Sequence, residues 1–275
     1  MKTALSLRQW MLGLIVLGLV AALVACATSP TGRTQLKLFS SSEVAQMGSA
    51  AFAEMLQQKP VVESGPLMEY VQCVARPMTR AVGGEWRVTL FDDDTVNAFA
   101  LPGNNIGIYR GLLTVAENQH QLATVIGHEI AHVTADHGNE RLSAAFATQA
   151  GLELASAVAG GTPTGNRVMA ALGLGAQVGV MLPFGRAQET EADIMGLQYM
   201  ADAGFDPRES LALWRNMDEA AGGGRPPDFL STHPGPAARS RVLNEHMDDA
   251  MARRERAHAE GRVPDCLAPE LPARR

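Results

Sequence analysis

The stretch from Thr124 to Val133 reads Thr-Val-Ile-Gly-His-Glu-Ile-Ala-His-Val. His128 and His132 stand four residues apart in an apolar run. On a helix such positions share one face, so two imidazoles can meet one metal ion. Glu129 falls about 100° around the helix from His128. That puts a carboxylate beside the metal, where it can take a proton from a water the metal activates. Leu122, Val125, Ile126, Ile130, Ala131 and Val133 would bury such a helix. Two buried histidines and a carboxylate need a partner, and a metal ion serves all three.

Two histidines do not complete a catalytic zinc site, which usually takes three protein ligands plus water. The pattern with a third histidine six residues further on fails, since Ala135 and Gly138 hold the corresponding positions. His137 falls about 180° from His128, so it reads as a supporting or helix-end residue. Glu189 and Asp193 are again four apart and share a face. One of them can ligate the metal while the other hydrogen-bonds a ligand histidine and fixes its tautomer. The local sequence leaves open whether this acidic run does either or is a solvated face.

The elements that must position these residues can be read along the chain. Ser40-x-x-Glu43 is a capping box, opening a helix to about Gln58. A second helix spans about Pro66 to Ala81, with Pro77 kinking or ending it. Trp86–Phe91 alternates like a strand, and Asp92-Asp93-Asp94 is a solvated turn. Asn97 to Tyr109 reads as two strands around a tight turn. The motif helix runs from about Asn118 to Ala135, with Gly138 as a stop. Glu140–Val158 is helical, Gly160–Gly165 breaks it, and Asn166–Leu182 is helical again. Another helix covers Ala187–Ala203. Asp206, Pro207 and Glu209 open the next one. Gly222–Pro227 is a loop, Ser231-Thr232-His233-Pro234 follows, and a last helix runs from Pro236 into Glu260. No internal repeat is visible.

The 275 residues suit one substantial domain or two small ones. Residues 1–25 carry Lys2 and Arg8 and then the uncharged apolar run Trp10–Ala25, shorter than the about 20 apolar residues of a membrane span. They end in Leu23-Val24-Ala25-Cys26, which resembles the lipobox of bacterial lipoproteins. That resemblance implies cleavage before Cys26 and lipid on its side chain. Ala27 after the cysteine implies sorting to the outer membrane. Residues 26–39 are expected to be a polar tether, 40–265 the catalytic domain and 266–275 a tail. Removing 1–25 takes the formal charge from −6 to −8. With no basic stripe, nucleic acid is excluded as a partner. Two cysteines then remain besides Cys26, and an oxidising periplasm would join Cys73 to Cys266.

The whole set of motifs resembles the HtpX/Oma/CAAX-prenyl-protease family of zinc metalloproteases, most of all its periplasmic lipoprotein members. The resemblance covers about Ser42 to Asn244. It is carried by Asn97-Ala-Phe-Ala-Leu-Pro-Gly, His128-Glu-x-x-His132, Arg186-x-x-Glu-x-Glu-Ala-Asp193, Ala203-Gly-Phe-Asp-Pro207, and Thr232-His-Pro234 with Arg239 beyond. It implies one zinc ion per chain, with Glu189 as third ligand beside His128 and His132. Asp193 and Arg186 would support the ligands, and His233 would be the active-site histidine. His233 could stabilise an oxyanion, or take the metal's fourth position and hold the enzyme latent. The strand Asn97, Ala98, Phe99 and Ala100 could pair with an extended substrate.

The implied fold is α+β: a mainly helical zincin-like domain with a small sheet beside the zinc helix. The implied function is endopeptidase quality control of unfolded or misassembled envelope proteins, at the periplasmic face of the outer membrane. The alternative is a chaperone-like assembly lipoprotein with a structural or idle zinc site. Gly185 and Asp136 depart from the family's usual Ser and Arg. The C-terminal repeat domain of some relatives is not expected here.

Overall fold

The computed structural model describes residues 26–158, 184–222, 227–233 and 236–270. The expected leader, the expected helix at 166–182, and the Gly-rich residues 223–226 lie outside these. Among the described residues no helix is long and apolar enough to cross a membrane.

The chain enters as a two-stranded antiparallel hairpin, β1 (Cys26–Thr28) and β2 (Thr34–Leu36). Its turn has Pro30 and ends on Gly32 at φ +91°, a conformation glycine adopts without strain. This corrects the expectation of a tether over 26–39, because the hairpin is fastened to the domain. Gln35 donates to the Ala135 carbonyl at 2.7 Å, the Leu38 N–H to Ser143 at 2.9 Å, and Lys37 pairs with Asp136. The segment is polar because it binds polar groups, not because it is solvated.

Helix α1 (Ser41–Gln58) opens on the expected capping box: Ser40 accepts from the Glu43 N–H, and Glu43 accepts from the Ser40 N–H. Helix α2 (Pro66–Val82) continues through Pro77. Strands β3 (Arg87–Phe91), β4 (Ala98–Leu101) and β5 (Asn105–Tyr109) form a sheet ordered β3-β5-β4, with β3 parallel and β4 antiparallel to β5. Strand β4 is thus an edge. The turn Asp92–Asp94 is held in ion pairs: Asp92 and Asp94 with Arg110, Asp93 with Lys59.

Helix α3 (Gln119–Thr134) is capped by Asn118, which accepts from the N–H groups of His120 and Gln121. Every residue from Gln121 to His132 is buried. It lies between α2 and the sheet on one side and α5 (Arg186–Asp202) on the other. Helix α4 (His137–Val158) starts directly after it. The remainder is α6 (Glu209–Ala221), short α7 (Asp228–Thr232), α8 (Pro236–Glu245) and α9 (Met247–Ala259). The single helix expected from Pro236 breaks at His246, whose φ and ψ are −108° and 3°. A Cys73–Cys266 disulfide pins the C-terminal segment to α2. The whole is a mainly helical α+β domain.

Helices α3 and α5 approach closely because each presents glycine to the other. A Cβ on Gly127 would come within 2.7 Å of the Gly196 carbonyl oxygen, and one on Gly196 within 2.8 Å of the His128 nitrogen. Real side chains do not fit there. This contact brings the histidines of α3 and the carboxylates of α5 within bonding distance.

Candidate metal centre

His128, His132, Glu189 and His233 converge, each buried, with one donor atom apiece and all four atoms within 4.8 Å of one another. His128 Nε2 lies 3.0 Å from His132 Nε2 and 3.2 Å from His233 Nδ1. Glu189 Oε1 lies 3.0 Å from His233 Nδ1 and 3.4 Å from His132 Nε2. Three nitrogens and one carboxylate form a zinc-type donor set. Burial drives the His128 and His132 pKa values well down, and that of His233 to about 4, so the imidazoles are neutral and can offer lone pairs. Neutral imidazoles converging on a carboxylate away from solvent fit a cation.

The surroundings orient these groups. His128 Nδ1 is 3.0 Å from Asp193 Oδ1, which leaves Nε2 for the cluster. His132 stacks on Phe184 at 3.6 Å between ring centroids, and His233 on Phe229 at 4.4 Å. Glu129 stands beside the cluster with Oε1 3.4 Å from His233 Nε2 and accepts from the Ala100 N–H of β4. Burial pushes its pKa up to about 7, against the pull of His233, Arg239 and Arg141.

The arginine beside the carboxylates is not the expected one. Arg186 is exposed at the start of α5, so it does not support the cluster. The buried guanidinium is Arg239 of α8, which pairs with Glu189, reaches Asp193 at 3.4 Å and stacks over Trp214 at 3.9 Å. A first-turn arginine on α5 points to solvent, whereas α8 crosses the carboxylates. Arg141, stacked over Phe184 at 3.8 Å, also escaped the sequence reading, as did Phe184 itself. The only signal for Arg239 was its place in the resemblance.

His137 sits behind His132, its Nδ1 2.8 Å from His132 Nδ1. The break needed for this is at Asp136, whose φ of +54° turns the chain between α3 and α4. Glu191 points away from the cluster and meets His137 Nε2 at 3.1 Å, so it is not a rival to Glu189. Of the expected substrate strand, Ala98 and Phe99 are buried and Asn97 and Ala100 partly so. The Phe229 N–H of α7 donates to the Val96 carbonyl at 3.2 Å, covering the head of the β4 edge.

The sequence from residue 63 to 247 matches Peptidase family M48. It is 32% identical over 225 residues to the mitochondrial metalloendopeptidase OMA1 of Schizosaccharomyces pombe, covering 76% of this chain and 63% of that one. With the metalloendopeptidase OMA1 of Danio rerio it shares 31% over 261 residues, 88% of this chain and 52% of that one. The β-barrel assembly-enhancing protease of Escherichia coli is 29% identical over 203 residues, 70% of this chain and 42% of that one. The chain thus spans about half the length of these relatives.

Proposed function

The chain belongs to peptidase family M48, and on that premise we propose that it is a zinc-dependent endopeptidase of the bacterial cell envelope that removes misfolded or misassembled proteins. The observation that carries this is the convergence of His128, His132 and Glu189 with Glu129 beside them. His128, His132 and Glu189 would hold one zinc ion. When bound, zinc supplies Lewis acidity, polarising a peptide carbonyl and acidifying water. Glu129 takes the proton of the attacking water and returns it to the leaving amine. Asp193 holds His128 by its Nδ1 edge, and Arg239 holds Glu189 and Asp193 together.

An extended substrate would pair with β4, whose ladder with β5 turns the N–H and C=O of Ala98 and the C=O of Ala100 outward, the Ala100 N–H being held by Glu129. Such binding reads main chain and suits unfolded proteins. A cleft beside His132, lined by Val44, Met47, Leu101, Leu142 and Phe184, would take an apolar side chain.

In this reading His233 has the blocking role. Its Nδ1 faces Glu189 and His128, which supports a fourth-ligand position over an oxyanion contact. The short helix that precedes it also covers the head of the β4 edge. Substrate must therefore displace α7. His233→Ala should raise basal turnover if blocking dominates. A fall of about 10²-fold would give His233 the oxyanion role instead.

The envelope assignment draws on the lipobox-like Leu23–Cys26 and on the β-barrel assembly-enhancing relative, with a lipid on Cys26 as the membrane anchor. Casein cleavage by the zinc-loaded chain, absent in Glu129→Gln, tests the enzyme against the chaperone-like alternative. Equal cleavage, or none by either, would refute the peptidase reading.

A further inference from the structure

We infer that Arg33 and Thr31, on the N-terminal hairpin, are positioning residues that fix the tautomer of His132 through Glu191 and His137. Glu191 accepts from Thr31 Oγ1 at 2.6 Å and from Arg33 Nε at 3.0 Å, and it meets His137 Nε2 at 3.1 Å. A carboxylate already serving a hydroxyl and a guanidinium is an acceptor, so His137 carries its ring proton on Nε2. The bare nitrogen of His137 is then Nδ1, 2.8 Å from His132 Nδ1. Between two neutral rings only one arrangement then makes that contact a hydrogen bond: His132 donates from Nδ1. A neutral imidazole has one ring proton. With that proton on Nδ1, His132 Nε2 is left bare and turned to the cluster. The opposite tautomer would put a proton among the donor atoms and leave two bare Nδ1 atoms facing each other.

The hairpin end of this chain is itself held. Arg33 also clasps Glu140, with Nη1 to Oε1 at 2.6 Å and Nη2 to Oε2 at 2.7 Å, and Glu140 accepts from Gln188 at 2.8 Å. Removing Arg33 frees Glu191 to turn from His137, and the ring of His137 can then flip. Outer hydrogen-bond partners of this kind typically set metal affinity by about 10–100-fold. The inference rests on the metal reading above and adds to it a segment about 100 residues upstream of the motif helix.

The test is a zinc competition titration against a chelator, with thermal unfolding, on the wild type, Arg33→Ala, His137→Phe and the double variant. Arg33→Ala should weaken zinc binding about 10–100-fold in the wild-type background. It should add nothing to the affinity loss of His137→Phe, while lowering the melting temperature in both backgrounds. An equal affinity loss in both, or none in either, would overturn the inference. Nitrogen-15 histidine NMR of the zinc-loaded wild type gives a second readout that needs no variant: His137 should be protonated on Nε2. Protonation on Nδ1 would break the relay. A wild type that takes up no zinc would instead sink the metal reading itself, a result distinct from zinc uptake indifferent to Arg33.

Discussion

Ile126 and Ile130 on one face of α3, and His128, Glu129 and His132 on the other, are all at most 2% exposed. The two faces differ only in chemistry. The isoleucines meet α2, the sheet and α6 in one apolar cluster with Met78, Leu90, Ile108 and Leu213. Burying each stabilises the fold by about 1.5–3 kcal/mol. The polar face costs free energy. Its groups give up hydration worth several kcal/mol per ion, and the effect is visible in the raised pKa of Glu129 and the lowered ones of the histidines. One helix therefore holds the fold together along one edge and is destabilised along the other, where the chemistry is.

Neighbouring substitutions on α3 should separate these roles. Glu129→Gln should lower turnover by about 10²–10⁴-fold while zinc content is kept. In the metal-free protein it should leave the melting temperature unchanged or higher, because an amide replaces a buried carboxylate. A lower melting temperature would mean that the polar face also stabilises. Ile126→Ala should do the reverse. It should cost about 2–5 kcal/mol in denaturant unfolding, with zinc stoichiometry intact in the folded fraction.

Gly196→Ala tests the joint between α3 and α5. Its Cβ would overlap His128 and Gly127 backbone. It should cost about 1–3 kcal/mol by overpacking, and, unlike Ile126→Ala, weaken zinc binding by moving Glu189. Intact zinc affinity would show that the centre tolerates a shift of α5.

The smallest effect belongs to a site away from both faces. Asp206, hydrogen-bonded to Arg208 and near Arg254, has its pKa lowered to about 2 from 3.8. Its contribution is therefore present above about pH 4 and lost as pH falls toward 2. Solvent screening and an exposed partner hold it below about 1 kcal/mol. Asp206→Asn should differ from wild type by that amount at pH 6, and the difference should shrink steadily as pH falls from about 4 through 2 in urea unfolding.

The parts of the site legible in the sequence are those with local periodicity. His128 and His132, and separately Glu189 and Asp193, are four apart on helices whose starts are marked by caps or turn residues. Joining the two pairs needed the family resemblance, because nothing in either helix announces the Gly127–Gly196 contact. The same limit explains the arginines. Arg186 stands three residues before Glu189 in sequence and faces water. Arg239 stands fifty residues after Glu189 and lies against it. The hairpin was illegible for a third reason: Thr31, Arg33 and Lys37 read as solvated when their partners Glu191, Glu140 and Asp136 are more than 95 residues away.

If Cys26 carries the proposed lipid, the docked hairpin also decides how far the domain can roam. Thirteen free residues from Ala27 to Phe39 would span roughly 45 Å when extended, enough to let a tethered enzyme sweep a hemisphere about as deep as a protein is wide. Paired as Cys26 with Leu36 and fastened to α4 and α5, the segment gives almost none of that slack. A lipid on Cys26 would hold the domain flush against the bilayer surface. Substrates would then have to come to the membrane.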